Sequence, residues 1–111
     1  KGSLHSLGIL DSGSDVTIIP REIAEEIGIE YGDDNEVTGL SGLPIKSKEG
    51  KVNIIFGKGH EIYSFRIPVL IPEKDSLPLI IGRIGFFNNF KITFIESEKR
   101  IEFKKVNDKL F

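Results

Sequence analysis

The 111-residue sequence predicts an all-β fold, a partly closed barrel with one or two short helices, and three observations carry that expectation. Apolar runs of strand length recur along the chain. Turn signals rich in Gly, Pro and Asp separate them, and helical spacing of apolar residues is confined to two short stretches. The length suits a single domain, residues 1–111, able to bury a modest core without disulfides or metals.

Residues 4–10 read as a strand that delivers Asp11 to a loop, and residues 16–19 as the strand that leaves it. Pro20 suits a first helical turn. Ile23 and Ile27 then share one face, Glu22, Glu25 and Glu26 lie outward and Gly28 stops the run, which predicts a helix over 21–27. Residues 31–35 read as a polar loop. Asp33, Asp34 and Glu36 lack the spaced ladder of a calcium loop and read as a solvated turn. Residues 37–47, with Gly39, Gly42 and Pro44 between segments able to pair, read as a flexible hairpin tip.

Residues 51–56 and 61–71 are strongly strand-like, joined by a tight reversal at Gly57-Lys58-Gly59-His60. Residues 72–78 read as a loop and 79–81 as a short buried strand. Residues 83–90 read as a second helix, with Phe86, Phe87 and Phe90 facing the core. Residues 91–95 and 100–105 form a hairpin around residues 96–99. No internal repeat or low-complexity segment interrupts this order.

Composition narrows the function. A net charge of -2, with Lys and Glu alternating rather than clustered, argues against nucleic acid as a partner. With no cysteine there is no disulfide framework, thiol nucleophile or zinc-thiolate site, and a cytoplasmic setting is the expectation. His5 and His60 stand far apart without a third ligand, so no metal or other cofactor is expected. No apolar run approaches membrane-spanning length, so no membrane partner is expected and the chain reads as soluble. The chain opens on Lys1 without methionine, which reads as a removed or replaced natural start.

Chemistry concentrates in residues 8–20, GILDSGSDVTIIP. An aliphatic stretch climbs into Asp11-Ser12-Gly13 and then returns to aliphatic residues, setting one carboxylate at the mouth of an apolar site. Such a carboxylate is costly unless it is protonated, paired or hydrogen-bonded. The same tripeptide is also an ordinary turn signal. Ser12 and Ser14 lack a nucleophile elbow and a histidine partner, which argues against a serine hydrolase. Further along, residues 77–87 read LPLIIGRIGFF, a buried-strand pattern ending in Gly82-Arg83.

Together these two segments resemble the retropepsin family of aspartic proteases, over nearly the whole chain. There, an apolar-apolar-Asp-Thr/Ser-Gly loop is followed by an apolar-apolar-Gly segment. The resemblance implies an acid-protease-type barrel whose single lobe acts as a homodimer on a polypeptide substrate. Asp11, Ser12 and Gly13 would be catalytic, with Asp11 of each subunit meeting at a twofold axis. In the family the hydroxyl at the Ser12 position donates across that axis, and Gly13 lets backbone lie against substrate.

Ser14 departs from the alanine common in retroviral members, and its hydroxyl is placed to donate to the Asp11 carboxylate. The resemblance also implies that Asp15 is held by Arg83 in a bidentate, partly buried pair and accepts from substrate backbone. Leu40, Ser41, Gly42 and Leu43 resemble the tip of a flap that closes over peptide, with Ile45 as a further apolar wall. Only ten residues precede Asp11, fewer than the N-terminal interface segment of retroviral members. Residues 104–111 end in Leu110-Phe111 and read either as a source of intersubunit strands or as a disordered tail. Besides the peptidase, a non-catalytic dimer that binds peptide or protein, and a dimerisation scaffold, fit the same resemblance.

Overall fold

Strand pairing does most of the building in this chain. The computed structural model describes residues 3–38, 44–73 and 77–106, in which eight strands run in the order β1 (Ile9–Leu10), β2 (Thr17–Ile18), β3 (Asp34–Thr38), β4 (Pro44–Lys58), β5 (Glu61–Pro72), β6 (Ile80–Ile81), β7 (Phe90–Ile95) and β8 (Arg100–Lys105). Helix α1 (Arg21–Ile27) lies between β2 and β3. The result is mostly β, in a single lobe with one short helix.

Helix α1 follows its sequence signals closely. Pro20 sits at the N-cap with extended backbone, and its carbonyl accepts from both Ile23 and Ala24. At the other end Gly28 takes the left-handed conformation, φ 77°, that an L side chain adopts only at a cost, and its N–H returns to the Ala24 carbonyl. Ala24 is fully buried and lets the helix lie close to the sheet, in a cluster with Ile19, Ile67, Val69 and Ile71.

Six strands form one sheet in the order β1-β6-β2-β5-β4-β3, and β7 and β8 form a separate hairpin. This corrects the barrel expectation: the sheet does not close, and its edges are β1 and β3. The physical reason lies in those edges. β1 is two residues long, and β3 is the polar run Asp34-Asn35-Glu36-Val37-Thr38, so neither offers a long apolar edge for closure. β5 pairs along its whole length with β4, from Ser47↔Pro72 to Lys58↔Glu61, and the chain reverses through Gly59-His60. Val52, Ile54 and Phe56 alternate inward, while Lys51, Asn53 and Ile55 face solvent.

Four further expectations are corrected. Residues 3–8 form no strand and are exposed, because β1 begins only where β6 offers pairing partners at Ile80 and Ile81. Residues 34 and 35, expected in a loop, open β3, which pairs with β4 from Asp34↔Lys48 to Thr38↔Pro44. The expected hairpin tip over 37–47 is therefore largely paired strand at both ends. The second helix does not form: Gly85 takes φ 85°, and its N–H and carbonyl are tied to the side chains of Asn88 and Asn89, leaving only a 3-10 turn at Phe87–Asn89.

Phe86 and Phe90 nevertheless both reach the core. With Ile81 they form its second cluster, joined by Phe56, Tyr63, Phe65 and Phe103 in edge and tilted ring contacts 5.1–6.3 Å apart. Rings at these separations contribute beyond their buried area, by about 0.5–1.5 kcal/mol per pair. The cluster fastens the β7–β8 hairpin onto the inner face of β4 and β5 and takes in Ile81 of β6.

Candidate active site

β1 and β2 are consecutive in the chain but not neighbours in the sheet. β6 lies between them, parallel to β1 (Leu10↔Ile81) and antiparallel to β2 (Ile18↔Ile80). The loop from Asp11 to Val16 must therefore cross the end of β6, where the chain continues as Gly82-Arg83-Ile84. That crossing holds the candidate site together.

Backbone bonds clamp the loop from below. The Asp11 N–H donates to the Ile81 carbonyl at 3.0 Å, the Arg83 N–H to the Ser14 carbonyl at 2.9 Å and the Ile84 N–H to the Asp15 carbonyl at 2.8 Å. The Gly82 N–H donates to the Thr17 hydroxyl at 3.0 Å in a buried position. Gly82 has to be glycine, since a Cβ there would stand 2.1 Å from the Val16 carbonyl oxygen. Side-chain bulk at that point would push β6 and the loop apart.

Asp11 itself is half-buried. Its Oδ1 accepts from the Gly13 N–H at 2.9 Å, and its carbonyl accepts from the Ser14 N–H at 3.1 Å. Among the described residues its Oδ2 takes no hydrogen bond, and neither does the exposed Ser12 hydroxyl. One carboxylate oxygen is thus fixed by the loop while the other stays available. Ile9, in the strand that leads into this loop, and Ile84, whose N–H bonds to Asp15, are each at least half exposed, as is Leu7 earlier in the chain.

The predicted residues meet with two differences. Asp11, Ser12, Gly13, Ser14 and Asp15 do share one loop, and the Arg83 guanidinium does pair with the Asp15 carboxylate. The pair is not buried, however, since the two side chains are 56% and 69% exposed, and a single nitrogen makes the contact. The Ser14 hydroxyl does not reach Asp11. It donates to the Val16 carbonyl at 2.7 Å, satisfying a backbone group of its own loop, and the carboxylate's donor is the Gly13 amide instead.

Leu40, Ser41, Gly42 and Leu43 lie outside the described residues, as does the tail from residue 107. Ile45 is half-buried, opposite Val37. Lys104 and Lys105, which open the segment expected to supply intersubunit strands, pair with Lys91 and Phe90 in the β7–β8 hairpin. Two shallow concavities, one lined by Arg21, Tyr31, Lys48 and Glu73 and the other by Lys91, Thr93, Glu102 and Lys104, do not include Asp11. Among the described residues no three His, Asp or Glu side chains cluster as metal ligands, and no helix is long and apolar enough to cross a membrane.

Thr17 is a member of this site that sequence reasoning misses. It is fully buried, yet in the sequence it reads only as one position of an apolar strand. Its signal was a hydroxyl among aliphatic neighbours, which is too common to single out.

No family model matches the sequence, and no curated protein matches it. Among solved structures the chain is similar to one described as EIAV protease complexed with the inhibitor HBY-793, at 21% identity and a TM-score of 0.44. The match covers 67% of this chain and 66% of that one, so the chain spans just under two thirds of its neighbour's length.

Proposed function

We propose that this chain is one half of a homodimeric aspartic endopeptidase that cuts extended polypeptide with an Asp11/Asp11 dyad. The observation that carries the reading is the half-satisfied carboxylate of Asp11 on a loop clamped across the end of β6. The Gly13 bond by itself is the Asx turn that any loop aspartate can form, usually with the rest of the carboxylate in bulk water. Asp11 is instead half-buried, with one oxygen held by Gly13 and the other unengaged.

The mechanism follows from bringing two such loops together. Two carboxylates within a few ångströms cannot both ionise, so they retain one shared proton in the working pH range. The ionised partner then takes a proton from a water as it attacks the scissile carbonyl, and the protonated partner donates to the carbonyl oxygen. The gem-diol intermediate collapses as the first carboxyl gives the proton it took from water to the leaving nitrogen, the second takes a proton back from a gem-diol hydroxyl, and the C–N bond breaks.

Within this reading, the Ser12 hydroxyl, unengaged in the single chain, is available to bridge to the partner's loop. The exposed Leu7, Ile9 and Ile84 supply apolar surface to the contact between subunits. Asp15, anchored by Arg83, presents a carboxylate to the main chain of bound peptide. Polypeptide and a second copy of the chain are the partners, and the chemistry needs no cofactor.

The test combines molecular mass in solution with cleavage of an unfolded polypeptide from acidic to neutral pH. A wild-type dimer that cleaves, and an Asp11→Asn dimer that does not, support the peptidase. A wild-type dimer that binds peptide but cleaves nothing identifies a binding module on the same frame, and a dimer that does neither identifies a scaffold.

A further inference from the structure

We infer that Thr17 is a positioning residue for Asp11, acting through the Gly82 amide, an inference that rests on the peptidase reading above. Thr17 shows no exposed surface, and buried hydroxyls are costly unless they are used. If the position only filled core, valine would fit the same branched shape with no polar group to satisfy. The hydroxyl is there because Gly82 needs an acceptor.

That need arises from the topology. The ladder between β2 and β6 consists of the single register pair Ile18↔Ile80, and β6 ends at Ile81. Gly82, the next residue, presses its bare Cα against the Val16 backbone too closely for any side chain. Its N–H turns to the Thr17 hydroxyl, and the next two amides, of Arg83 and Ile84, reach the Ser14 and Asp15 carbonyls. Three successive amides thus engage the loop, and only the first depends on a side chain. Ser14 in turn donates to the Asp11 carbonyl, and Gly13 donates to Oδ1. The Thr17 hydroxyl sets the plane of the Gly82 peptide, and through it the height of the whole loop under the reacting carboxylate.

The experiment compares wild type, Thr17→Val and Thr17→Ser for kcat and KM on one polypeptide substrate, normalised to folded dimer. For Thr17→Val the expected result is a kcat lower by about 10- to 100-fold, as small misplacements of reacting groups produce. KM should stay within about twofold, since contacts made equally in ground and transition states are untouched. Thr17→Ser, which restores the hydroxyl but not the methyl, should recover most of the loss. Equal kcat in Thr17→Val and wild type, or equal loss in the valine and serine variants, overturns the inference.

Hydrogen exchange of the Gly82 amide in the wild-type dimer keeps the test decisive should Thr17→Val fail to fold. Protection comparable to the β4–β5 ladder is expected, and rapid exchange contradicts the proposed bond. A wild-type dimer that cleaves nothing removes the peptidase reading and this inference together, whereas an active wild type with an unaffected valine variant removes the inference alone.

Discussion

Arg83 and Asp15, 68 positions apart in the chain, meet side chain to side chain alongside backbone bonds that already join their segments. The Arg83 N–H reaches the Ser14 carbonyl and the Ile84 N–H reaches the Asp15 carbonyl, so the loop is registered on the end of β6 without the ion pair. Both charged groups are more than half exposed. Their contact orients the Asp15 carboxylate more than it stabilises the fold.

Arg83→Ala should therefore cost little stability, about 0.2–1 kcal/mol as for other exposed pairs. Under the peptidase reading it should raise KM for polypeptide, because Asp15 loses its fixed orientation. Chemical denaturation and steady-state kinetics on the same preparation separate the two effects. A stability loss of several kcal/mol would show that the pair does structural work which its exposure argues against.

Gly82→Ala should behave differently. A methyl 2.1 Å from the Val16 carbonyl oxygen meets backbone, which cannot swing aside as a side-chain tip can. The loop or β6 has to shift, at a cost of about 1–3 kcal/mol or more. Gly59→Asn is the control, because a Cβ at Gly59 meets nothing within 4 Å and asparagine tolerates its positive φ. A lowered melting temperature for Gly82→Ala, with Gly59→Asn near wild type, is the expected outcome of a thermal melt.

The helix over 21–27 and the long β4–β5 hairpin were legible in the sequence because local signals coincide there: Pro20 and Gly28 bracket an amphipathic turn, and Val52, Ile54 and Phe56 alternate. The helix expected over 83–90 was not. Phe86 and Phe90 have helical spacing, but Asn88 and Asn89 fold back onto Gly85, a side-chain competition that spacing alone does not reveal. β3 escaped notice because its residues are polar, and its pairing with β4 draws on cross-strand contacts such as Asp34 with Lys48. In the site, the Asp11 loop and the Asp15–Arg83 pair were legible as motifs. The Ser14 hydroxyl finds its partner two residues on, through a local turn that the motif does not spell out, whereas the bond between Thr17 and Gly82 depends on β6 entering between β1 and β2, which is long-range information.

Ser14→Ala tests the corrected role of that serine. Since its hydroxyl serves the Val16 carbonyl, the change should cost about 0.5–1.5 kcal/mol of stability, as for one ordinary hydrogen bond. Under the peptidase reading, the acid limb of the pH–rate profile should stay where it is in wild type. A displaced acid limb would mean that the hydroxyl turns to Asp11 in the working dimer.

The β3–β4 hairpin should respond to acid. The hydrogen bond and charge of Lys48 hold Asp34 below the usual carboxylate range, and Asp34 raises Lys48 in return. Because the folded-state pKa of Asp34 is lowered, its contribution is present above the ordinary aspartate value and is lost as pH falls through the lowered one. For Lys48, raised when folded, the contribution is present below the ordinary lysine value and lost as pH rises through the raised one. Amide exchange of β3 against pH should show protection falling on acidification in wild type and a flatter profile in Lys48→Met. Identical profiles would mean that the pair does not steady the hairpin.

Calorimetric titration with a statine-type transition-state mimic tests the proposed pairing of two Asp11 loops most directly. One inhibitor bound per two chains, with binding abolished in Asp11→Asn, is the stoichiometry that a shared dyad on a twofold axis predicts. One inhibitor per chain, or equal binding by Asp11→Asn, would contradict it.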